Sequence, residues 1–531
     1  MAPEVLYNGI TLGTPWPPRL RYPDEQPVAP PYLRNPPAVI PVDVGRQLFV
    51  DDFLIDETSL VRTWHHAQYH PDNPILEPET PWERRDPVSE RLNHKINPAA
   101  MVFSDGVFFD PRDRLFKMWY MAGYGTATCL AVSDDGIRWT RPSFDVVPGT
   151  NIVHNEMRDS STVWIDPFDP DQRRRYKMSY WYDNAILLAA SPDGVHWTSL
   201  GTASRALDRS TFFFNPFRKV WVFSLRGVNY PGGGINSRYR LYWESPDFAA
   251  HGAWTHPPVA WTRADVYDAP LPGMTQPSEL YNLDCAGYES LVIGLFSIWR
   301  GESDDREKVN DLTIGFSRDG FHWSREDRTP FVPVSDTPGA WNWANIQSAG
   351  ACCLIVDDRL YFYVSGRQGE PGTNRPGVCS TGLATLRRDG FASMDWRRDD
   401  ARPRVLSRSG LPGGYLTTRT VTFNGSHLFV NANVEGELRV EVLDERGQPI
   451  APLTRERCRP LRTDHTRALV EWSGGSIAQV AGRRVKLRFW LDEGRLYAFW
   501  ISRWPSGESR GAVAGGGPAF AGPLDDRPPV R

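Results

Sequence analysis

The sequence predicts an all-β protein, a five-bladed β-propeller followed by a β-sandwich. A Ser-x-Asp-Gly-x-x-Trp motif recurs, with copies that begin at Ser133, Ser191, Ser245, Ser317 and, in reduced form, Arg387. Between the copies, runs rich in Val, Ile, Phe, Tyr and Trp alternate with period two, which is typical of strands. Because one small sheet buries both faces only by stacking on similar sheets, a repeat of this kind favours propeller blades.

Composition supports this class and excludes others. The 531 residues include 45 Gly, 46 Pro and 21 Trp, which indicates many turns and many aromatic strand positions. A net charge of −4 offers no field that would collect nucleic acid or an anionic membrane. No apolar run is long enough for a spanning helix. We therefore expect neither nucleic acid nor a membrane as a partner.

The N-terminus and the cysteines suggest a cytoplasmic protein. The first twenty residues lack the basic and apolar segments of a secretory signal. The six cysteines are scattered through strand-like segments without metal-ligand spacing, so we interpret them as reduced core residues. No metal and no cofactor is expected, and the sequence leaves a homo-oligomer open.

Four segments are predicted along the chain. Residues 1–44 are a proline-rich extension that runs over the surface, and residues 45–400 form the propeller. Residues 401–504 contain strands without the repeat and are predicted to be a β-sandwich. Residues 505–531 are rich in glycine and proline and are expected to be disordered.

Carboxylates recur where the first strand of three consecutive blades begins. Asp159 and Asp208 stand in matching Asp-x-Ser-Thr contexts, and Glu279 precedes the first strand of blade four. First strands line the channel of a propeller, so these three side chains are predicted to meet at one mouth. Asp before Ser or Thr also bonds neighbouring backbone, which leaves a structural role open for the two aspartates. Paired carboxylates whose pKa values are driven apart are what glycosidic bond cleavage needs.

Further polar and aromatic residues belong to the same predicted mouth. Second strands end there with Arg226, Arg300 and Arg367, which either bind an anionic substrate group or pair with acidic residues of the next blade. Substrate contacts are also expected from His94 and Asn97 in blade one, from Arg209, and from the rings of Tyr281 and Trp343. In the repeated motif itself, Ser and Asp bond the turn, Gly supplies a positive φ, and Trp packs between blades.

The chain resembles the five-bladed propeller glycoside hydrolases related to families 32, 43 and 68, in particular bacterial family-32-like proteins with a C-terminal β-sandwich. The resemblance rests on QLFVDDFLID, SDDGIRW, SPDGVHW, SRDGFHW and RRDGF, and continues through FNGSHLFVNANVEGELRVEVLDERGQPI and GRRVKLRFWLDEGRLYAFW. It implies a glycosidase acting on an oligosaccharide or glycoside, with Glu279 as the acid. Asp159 and Asp208 then supply the base or nucleophile and the residue that tunes its pKa.

The sequence departs from the family at the first blade. The Trp-Met-Asn-Asp-Pro-Asn-Gly start of family 32 is absent, and the nearest stretch, His94–Pro98, contains no Asp. The hypothesis is a glycoside hydrolase that cleaves a terminal, furanosidic or pyranosidic sugar. A sialidase-like hydrolase of an anionic sugar and a non-catalytic carbohydrate-binding propeller remain as alternatives.

Overall fold

The computed structural model describes residues 3–20, 26–84, 97–229, 237–249, 256–397 and 413–526. In these ranges the regular secondary structure is almost entirely β-strand, with short helical turns at Pro31–Arg34, Gln172–Arg174 and Ile477–Val480. No helix within them is long and apolar enough to cross a membrane. The all-β prediction is confirmed.

Five antiparallel groups of strands, called sheets 1 to 5, follow one another along the chain, and a parallel bridge joins sheets 4 and 5 into one nine-stranded sheet. Sheet 1 contains Ala100–Met101, Val107–Asp110, Leu115–Ala122, Ala127–Ser133 and Ile152–His154. Sheet 2 contains Ser161–Ile165, Tyr176–Tyr182, Ala185–Ser191 and Thr198–Arg205. Sheet 3 contains Thr211–Asn215, Val220–Gly227, Tyr239–Ser245 and Val259–Thr262.

Sheets 4 and 5 each recruit a strand from a distant part of the chain. Sheet 4 contains Glu279–Glu289, Leu291–Trp299 and Asn310–Ser317, and Ala512–Val513 pairs with the end of its first strand. Sheet 5 contains Asn345–Ser348, Leu354–Val356, Arg359–Arg367 and Cys379–Arg387, with Gln68–Tyr69 on its outer edge. An N-terminal strand therefore completes the last sheet.

Each sheet contacts the next, and sheet 5 contacts sheet 1. In this order, the contacts are Trp119 Nε1 to the Gly194 carbonyl (2.9 Å), Ser160 Oγ to the Ser210 carbonyl (3.2 Å), Trp261 Nε1 to the Phe321 carbonyl (2.8 Å), an Asn310–Asn345 backbone bridge, and the Ser104 N–H to the Ser348 carbonyl (3.1 Å). The first strands of all five sheets are thereby brought towards one another.

The repeated motif forms the same turn in sheets 1, 2 and 4. The serine hydroxyl accepts a hydrogen bond from the glycine N–H, at 2.8 Å for Ser133, 2.9 Å for Ser191 and 3.0 Å for Ser317. The aspartate side chain accepts from the next two N–H groups, as Asp193 does from Val195 and His196, both at 2.8 Å. The motif's structural interpretation is confirmed for these copies.

The motif tryptophans pack between sheets, as the sequence predicts. Trp139 at the end of the first copy meets Tyr363 of sheet 5 edge to face, with ring centroids 5.8 Å apart. Trp323 of the fourth copy packs against Trp261 of sheet 3 at 5.7 Å. Such aromatic pairs add to the burial of apolar area between neighbouring sheets.

A further large sheet corrects the predicted boundary at residue 45. Its strands are Gln47–Leu48, Ile55–Thr58, Val61–Trp64, Ala392–Trp396, Gly414–Thr418, His427–Leu443, Asp464–Leu469 and Lys486–Ser502. Residues 47–64 and 392–396, which the sequence assigned to the propeller, thus belong to this C-terminal sheet. The short strand Ile40–Pro41 also pairs with Val421–Thr422, so the proline-rich extension is anchored to it. Local alternation cannot reveal this, because pairing partners lie hundreds of residues apart. The expected sandwich stays a prediction.

The glycine- and proline-rich tail is ordered through residue 526, which corrects the expectation of disorder for residues 505–526. It crosses the ends of the first strands: the Gly515 carbonyl accepts from the Phe109 N–H of sheet 1 (2.9 Å), and the Gly516 carbonyl accepts from the Ile355 N–H of sheet 5 (2.8 Å). Residues 527–531 lie outside the described residues. The glycines of the described tail allow its backbone to lie directly on these sheets, since a Cβ at Gly517 would stand 1.8 Å from the Ile355 carbonyl oxygen.

A buried group of charges, the Arg46 cluster, joins sheet 4, the last motif copy and the C-terminal sheet. Arg46 pairs with Asp389 (2.8 Å) and with Glu289 (3.4 Å), and its guanidinium lies 4.0 Å from the centre of the Trp500 ring. Arg388 also pairs with Glu289 at 2.9 Å. Burial opposes ionisation of Asp389, but Arg46 and Arg388 hold its pKa below the usual value. The degenerate fifth motif copy therefore links sheet 4 to the segment that enters the C-terminal sheet through buried ion pairs.

Gly194→Ala tests the contact between sheets 1 and 2. Gly194 has φ +82°, and a Cβ there would stand 2.6 Å from Trp119 Cζ2. We expect a loss of about 2–4 kcal/mol in the free energy of unfolding, measured by urea denaturation, from backbone strain and overpacking together. Gly201→Ala is the control, because Gly201 has φ +93° with open space around its Cβ, so about 1 kcal/mol is expected. Equal losses in both variants would contradict the packing argument.

Candidate functional site

The three predicted carboxylates lie where the first strands of sheets 2, 3 and 4 begin. Asp159 accepts hydrogen bonds from the N–H groups of Ser160 (2.7 Å) and Arg209 (3.4 Å). Asp208 forms an ion pair with Arg226. Glu279 pairs with Arg238 at 2.7 Å. We call this end of the five sheets the mouth.

Arg226 is the common neighbour of the three carboxylates. It binds Asp208 directly, and the charges of Asp159 and Glu279 also act on its guanidinium. Burial and the adjacent Arg238 lower the pKa of Arg226, while these acidic groups act in the opposite direction. All three carboxylates therefore act electrostatically on one guanidinium, and their joint role in a site stays a prediction.

Aromatic rings and a further arginine adjoin these carboxylates. The Arg238 guanidinium lies 5.2 Å from the ring centre of Tyr281 and 5.5 Å from that of Trp299. Trp299 stands opposite Glu279 in the sheet 4 ladder. Sequence reasoning missed Arg238, because the residue stands at the start of a third strand, outside the pattern of first-strand beginnings and second-strand ends.

The remaining predicted arginines have protein partners. Arg300 donates to both carboxylate oxygens of Asp311, at 3.0–3.1 Å, and to the Ala269 carbonyl at 2.8 Å. Arg226 and Arg300 therefore pair within their own sheets. Arg367, in contrast, pairs with Glu307 of the adjoining sheet 4 at 2.7 Å. Sheet 4 precedes sheet 5, so none of the three arginines pairs with an acidic residue of the next blade, and that prediction is wrong for all of them.

Arg209 fills the channel below the mouth. Its guanidinium stacks on Phe103 at 3.7 Å and donates to the Phe103 carbonyl (3.2 Å) and to the Ser104 hydroxyl (3.1 Å). It is 2% exposed. The structure therefore gives Arg209 a packing role between sheets 1 and 3, in place of the expected contact with substrate, because its guanidinium is stacked on Phe103 and donates to Phe103 and Ser104.

The other predicted contacts have different positions. Trp343 is buried, and the guanidinium of Arg306 lies 4.7 Å from the centre of its ring, so this ring is covered by protein. Asn97 is buried at the start of sheet 1, one residue before the Pro98 carbonyl that binds the Cys379 N–H of sheet 5. His94 lies outside the described residues.

Below the mouth, a network around Asp284 ties sheets 1, 4 and 5 together. Its Oδ2 accepts hydrogen bonds from Ser104 (2.8 Å), Ser348 (2.6 Å) and Asn282 (3.1 Å). Asp105, next to Ser104, pairs with Arg158 of sheet 2 at 2.9 Å. Burial raises the pKa of Asp105 to about 6, against the lowering effect of Arg158.

The sequence conceals this network because residues 99–109, AAMVFSDGVFF, are mostly apolar and are typical of one continuous strand. Ser104 has φ +66°, and the strand is broken into Ala100–Met101 and Val107–Asp110. The signal was the polar Ser-Asp-Gly step at 104–106, which interrupts the alternation. The break lets Ser104 and Asp105 enter the channel.

Glu307 is a buried carboxylate that the sequence did not single out. It lies between the second and third strands of sheet 4 and lines a cavity of about 720 Å³. Gly273–Gln276, Glu302–Asp304, Lys308 and Asn374 form the rest of that cavity's wall. Burial raises the pKa of Glu307, although Arg367 and Lys308 act to lower it. Its Oε2 has no hydrogen-bond partner in the part of the chain that the structure describes.

Metal binding finds no support among the described residues, where no group of three or more His, Cys, Asp or Glu side chains could hold an ion. All six cysteines are free and buried. Burial raises the pKa values of Cys285 and Cys353, which keeps these thiols protonated and unreactive.

Comparison with known proteins gives similarity of shape alone. No family model and no curated protein matches the sequence. One similar solved structure is an N-acetylgalactosamine deacetylase from F. plautii in complex with blood group B trisaccharide, at TM-score 0.41 and 13% identity over 62% of this chain and 96% of that chain. A thermostable family-43 glycoside hydrolase has TM-score 0.40 and 11% identity over 58% and 96% of the two chains.

A glycosyl hydrolase from Bacteroides ovatus is similar to the same extent, at TM-score 0.37 and 12% identity over 62% of this chain and 97% of that chain. Likenesses of this size do not bear on function, which we argue from the mouth itself.

Asp284→Ala tests the network below the mouth. Removing the carboxylate leaves the Ser104, Ser348 and Asn282 donors buried without their acceptor. We expect a loss of roughly 2–4 kcal/mol in the free energy of unfolding, measured by urea denaturation. Asp72→Ala at an exposed carboxylate is the control, and we expect a change within about 0.5 kcal/mol. A loss no larger than that of the control would show that the network does not hold the sheets together.

Proposed function

We propose that the protein is a glycoside hydrolase whose five sheets are the blades of a β-propeller and whose active site is the mouth. The observation that carries the proposal is the placement of Asp159, Asp208 and Glu279, from three sheets, around Arg226. A pair of carboxylates in different environments is the chemical requirement for acid and base or nucleophile in glycosidic bond cleavage. Tyr281 beside them offers a ring on which a sugar can stack.

Asp159 best suits the base or nucleophile. Among the described residues it has no ion-pair partner, so its carboxylate is available to water or to the anomeric carbon. Asp208, held by Arg226, remains a charged neighbour that tunes its surroundings. The negative charge of Asp159 also stabilises positive charge that develops on the sugar in an oxocarbenium-like transition state.

Two residues compete for the role of acid. The sequence favours Glu279, whose Oε2 accepts a hydrogen bond from Arg238 at 2.7 Å. The environment favours Glu307, which is buried, has an unpartnered Oε2 and has a raised pKa. An acid must carry its proton at the working pH, so we assign this role to Glu307 and a positioning role to Glu279.

A second candidate substrate class follows from Arg367. This residue is 3% exposed, and its Nε and Nη2 have no hydrogen-bond partner within the described ranges. Such donors suit a carboxylate on the substrate, as in an acidic sugar. A panel that contains both neutral and acidic aryl glycosides therefore covers the two classes.

Hydrolysis of these aryl glycosides, measured as the release of the phenol, tests the proposal. We expect Asp159→Asn and Glu307→Gln to lower kcat/KM by about 10²–10⁴-fold, the range for loss of a general acid or base. Glu445→Gln, at an exposed carboxylate of the C-terminal sheet, is the matched control and should be unchanged. Binding of sugars without turnover by the parent protein would favour a carbohydrate-binding role and contradict the hydrolase.

The leaving group separates the two acids. A dinitrophenyl glycoside needs little protonation of its leaving oxygen, so the variant that lacks the acid should retain far more activity on it than on an alkyl glycoside. We expect this recovery for Glu307→Gln. Recovery in Glu279→Gln, without recovery in Glu307→Gln, would return the role of acid to Glu279.

The pH profile of kcat/KM provides an independent measurement. Glu307 is active while protonated, and burial raises its pKa, so activity should persist to higher pH than an ordinary glutamate allows and then fall as the proton is lost. Glu307→Gln should abolish this alkaline limb. If kcat/KM of the variant falls at the same alkaline pH as that of the parent, Glu307 is not the group whose loss of a proton causes the fall.

A further inference from the structure

A second cavity lies at the opposite end of the first strands from the mouth. Its volume is about 650 Å³, within the range of small-molecule sites. The first strands of sheets 1 to 4 reach it near their ends, through Phe109, Ile165, Phe214 and Gly287, and residues 512–523 of the tail form another wall. It is therefore separate from the proposed active site, and the segment that the sequence predicted to be disordered forms one of its walls.

The wall of this cavity is aromatic on one side. Phe108 and Trp164 meet edge to face at 5.3 Å, and Phe168 and Phe214 lie with ring centroids 5.5 Å apart. Phe168 is 51% exposed, although it is a large apolar side chain. An exposed ring at the rim of a partly apolar cavity indicates a surface that can be covered by a flat apolar ligand.

The charged residues of the wall are three arginines and one aspartate, namely Arg112, Arg114, Arg175 and Asp166. Asp166 is balanced by Lys177, whose Nζ lies 3.3 Å from its carboxylate. Arg112 and Arg114 are exposed, and neither forms an ion pair with the residues that the structure describes. The cavity therefore carries an excess of positive charge.

Arg175 is the second, independent sign of a ligand. It is 3% exposed and uses Nη2 to bind Asp110 at 2.8 Å. Its Nε and Nη1 have no hydrogen-bond partner within the described ranges. Asp110 also accepts from Lys117 (3.0 Å), which pairs with Asp113 as well, and from Tyr176, so its oxygens leave the Nε and Nη1 donors of Arg175 without an acceptor. Buried guanidinium donors without acceptors are costly, and an anion would satisfy them.

We propose that this cavity binds an amphipathic organic anion, a carboxylate or sulfonate attached to an aromatic body. The anionic group binds Arg175, with Arg112 and Arg114 adding to the attraction, and the body packs against Phe108, Trp164 and Phe214. The tail covers the ligand. Nothing in this site depends on the hydrolase activity, so the two proposals stand or fall separately.

Anilinonaphthalene sulfonate, an aromatic anion that fluoresces in apolar surroundings, is a suitable probe for titration of the whole protein. Neutral N-phenylnaphthylamine is its counterpart without the charge. We expect saturable binding of the anion at one site, with emission excited through tryptophan because Trp164 lines the cavity. Arg175→Met should weaken the anion at least about tenfold and leave the neutral probe unchanged. Failure of the parent protein to bind the anion saturably would overturn the proposal.

Ala519→Trp tests the location without touching a buried charge. Ala519 is exposed and lines the cavity, so a large side chain there should block both probes. Ala478→Trp, at an exposed alanine of the turn Ile477–Val480, is the matched control and should bind as the parent does. If Arg175→Met lowers the midpoint of urea denaturation, the binding of the two probes is compared between the parent and Arg114→Gln, whose substitution lies at an exposed position. Unchanged anion binding in Ala519→Trp, or equal effects of the arginine variants on both probes, would refute the site.

Discussion

The hydrogen bond from an aromatic side chain of one sheet to the turn of the next is the interaction on which the rest of the structure depends. Tyr363 donates to the Gly136 carbonyl at 2.7 Å, as Trp119 does to Gly194. The turn exposes that carbonyl because its serine and aspartate already satisfy the neighbouring N–H groups. Glycine at the same place leaves room for the ring, since a Cβ on Gly136 would stand 2.7 Å from the Tyr363 hydroxyl.

These contacts decide where the mouth lies. Each one sets the position of a sheet relative to its neighbour, so the first strands of sheets 2, 3 and 4 begin at one end, where Asp159, Asp208 and Glu279 lie. Arg226 and Arg238 then offset the electrostatic repulsion among the carboxylates, because like charges at close range are destabilising without a cation between them. The same guanidinium groups separate the environments of the acidic residues, which is the physical basis for distinct chemical roles.

The Arg46 cluster performs a related task at the other boundary of the sheets. It contains Glu289 and Asp389 in a fully buried setting, where either carboxylate without a cation would be strongly unfavourable. Arg46 comes from the segment that enters the C-terminal sheet, and Ser509 of the tail donates to Glu289 at 2.6 Å. Satisfying these charges therefore requires the N-terminal segment, sheet 4 and the tail to be in place together, and the tail in turn forms one wall of the second cavity.

Sequence alone determined the strands, the repeated turns and the three carboxylates at first-strand beginnings, because alternation, glycine and turn-forming side chains act over a few residues. Tertiary structure decided what each charged group does. Arg300 looks equivalent to Arg226 in sequence, and Arg209 directly follows Asp208, yet burial and protein partners occupy both guanidinium groups. Arg238, beside Glu279, and Glu307, in the cavity next to sheet 4, lie in loops and strand ends that carry no periodic signal. The strands at 47–64, the break at Ser104 and the ordered tail were likewise hidden, because their partners lie hundreds of residues away and only the assembled sheets bring the two surfaces together.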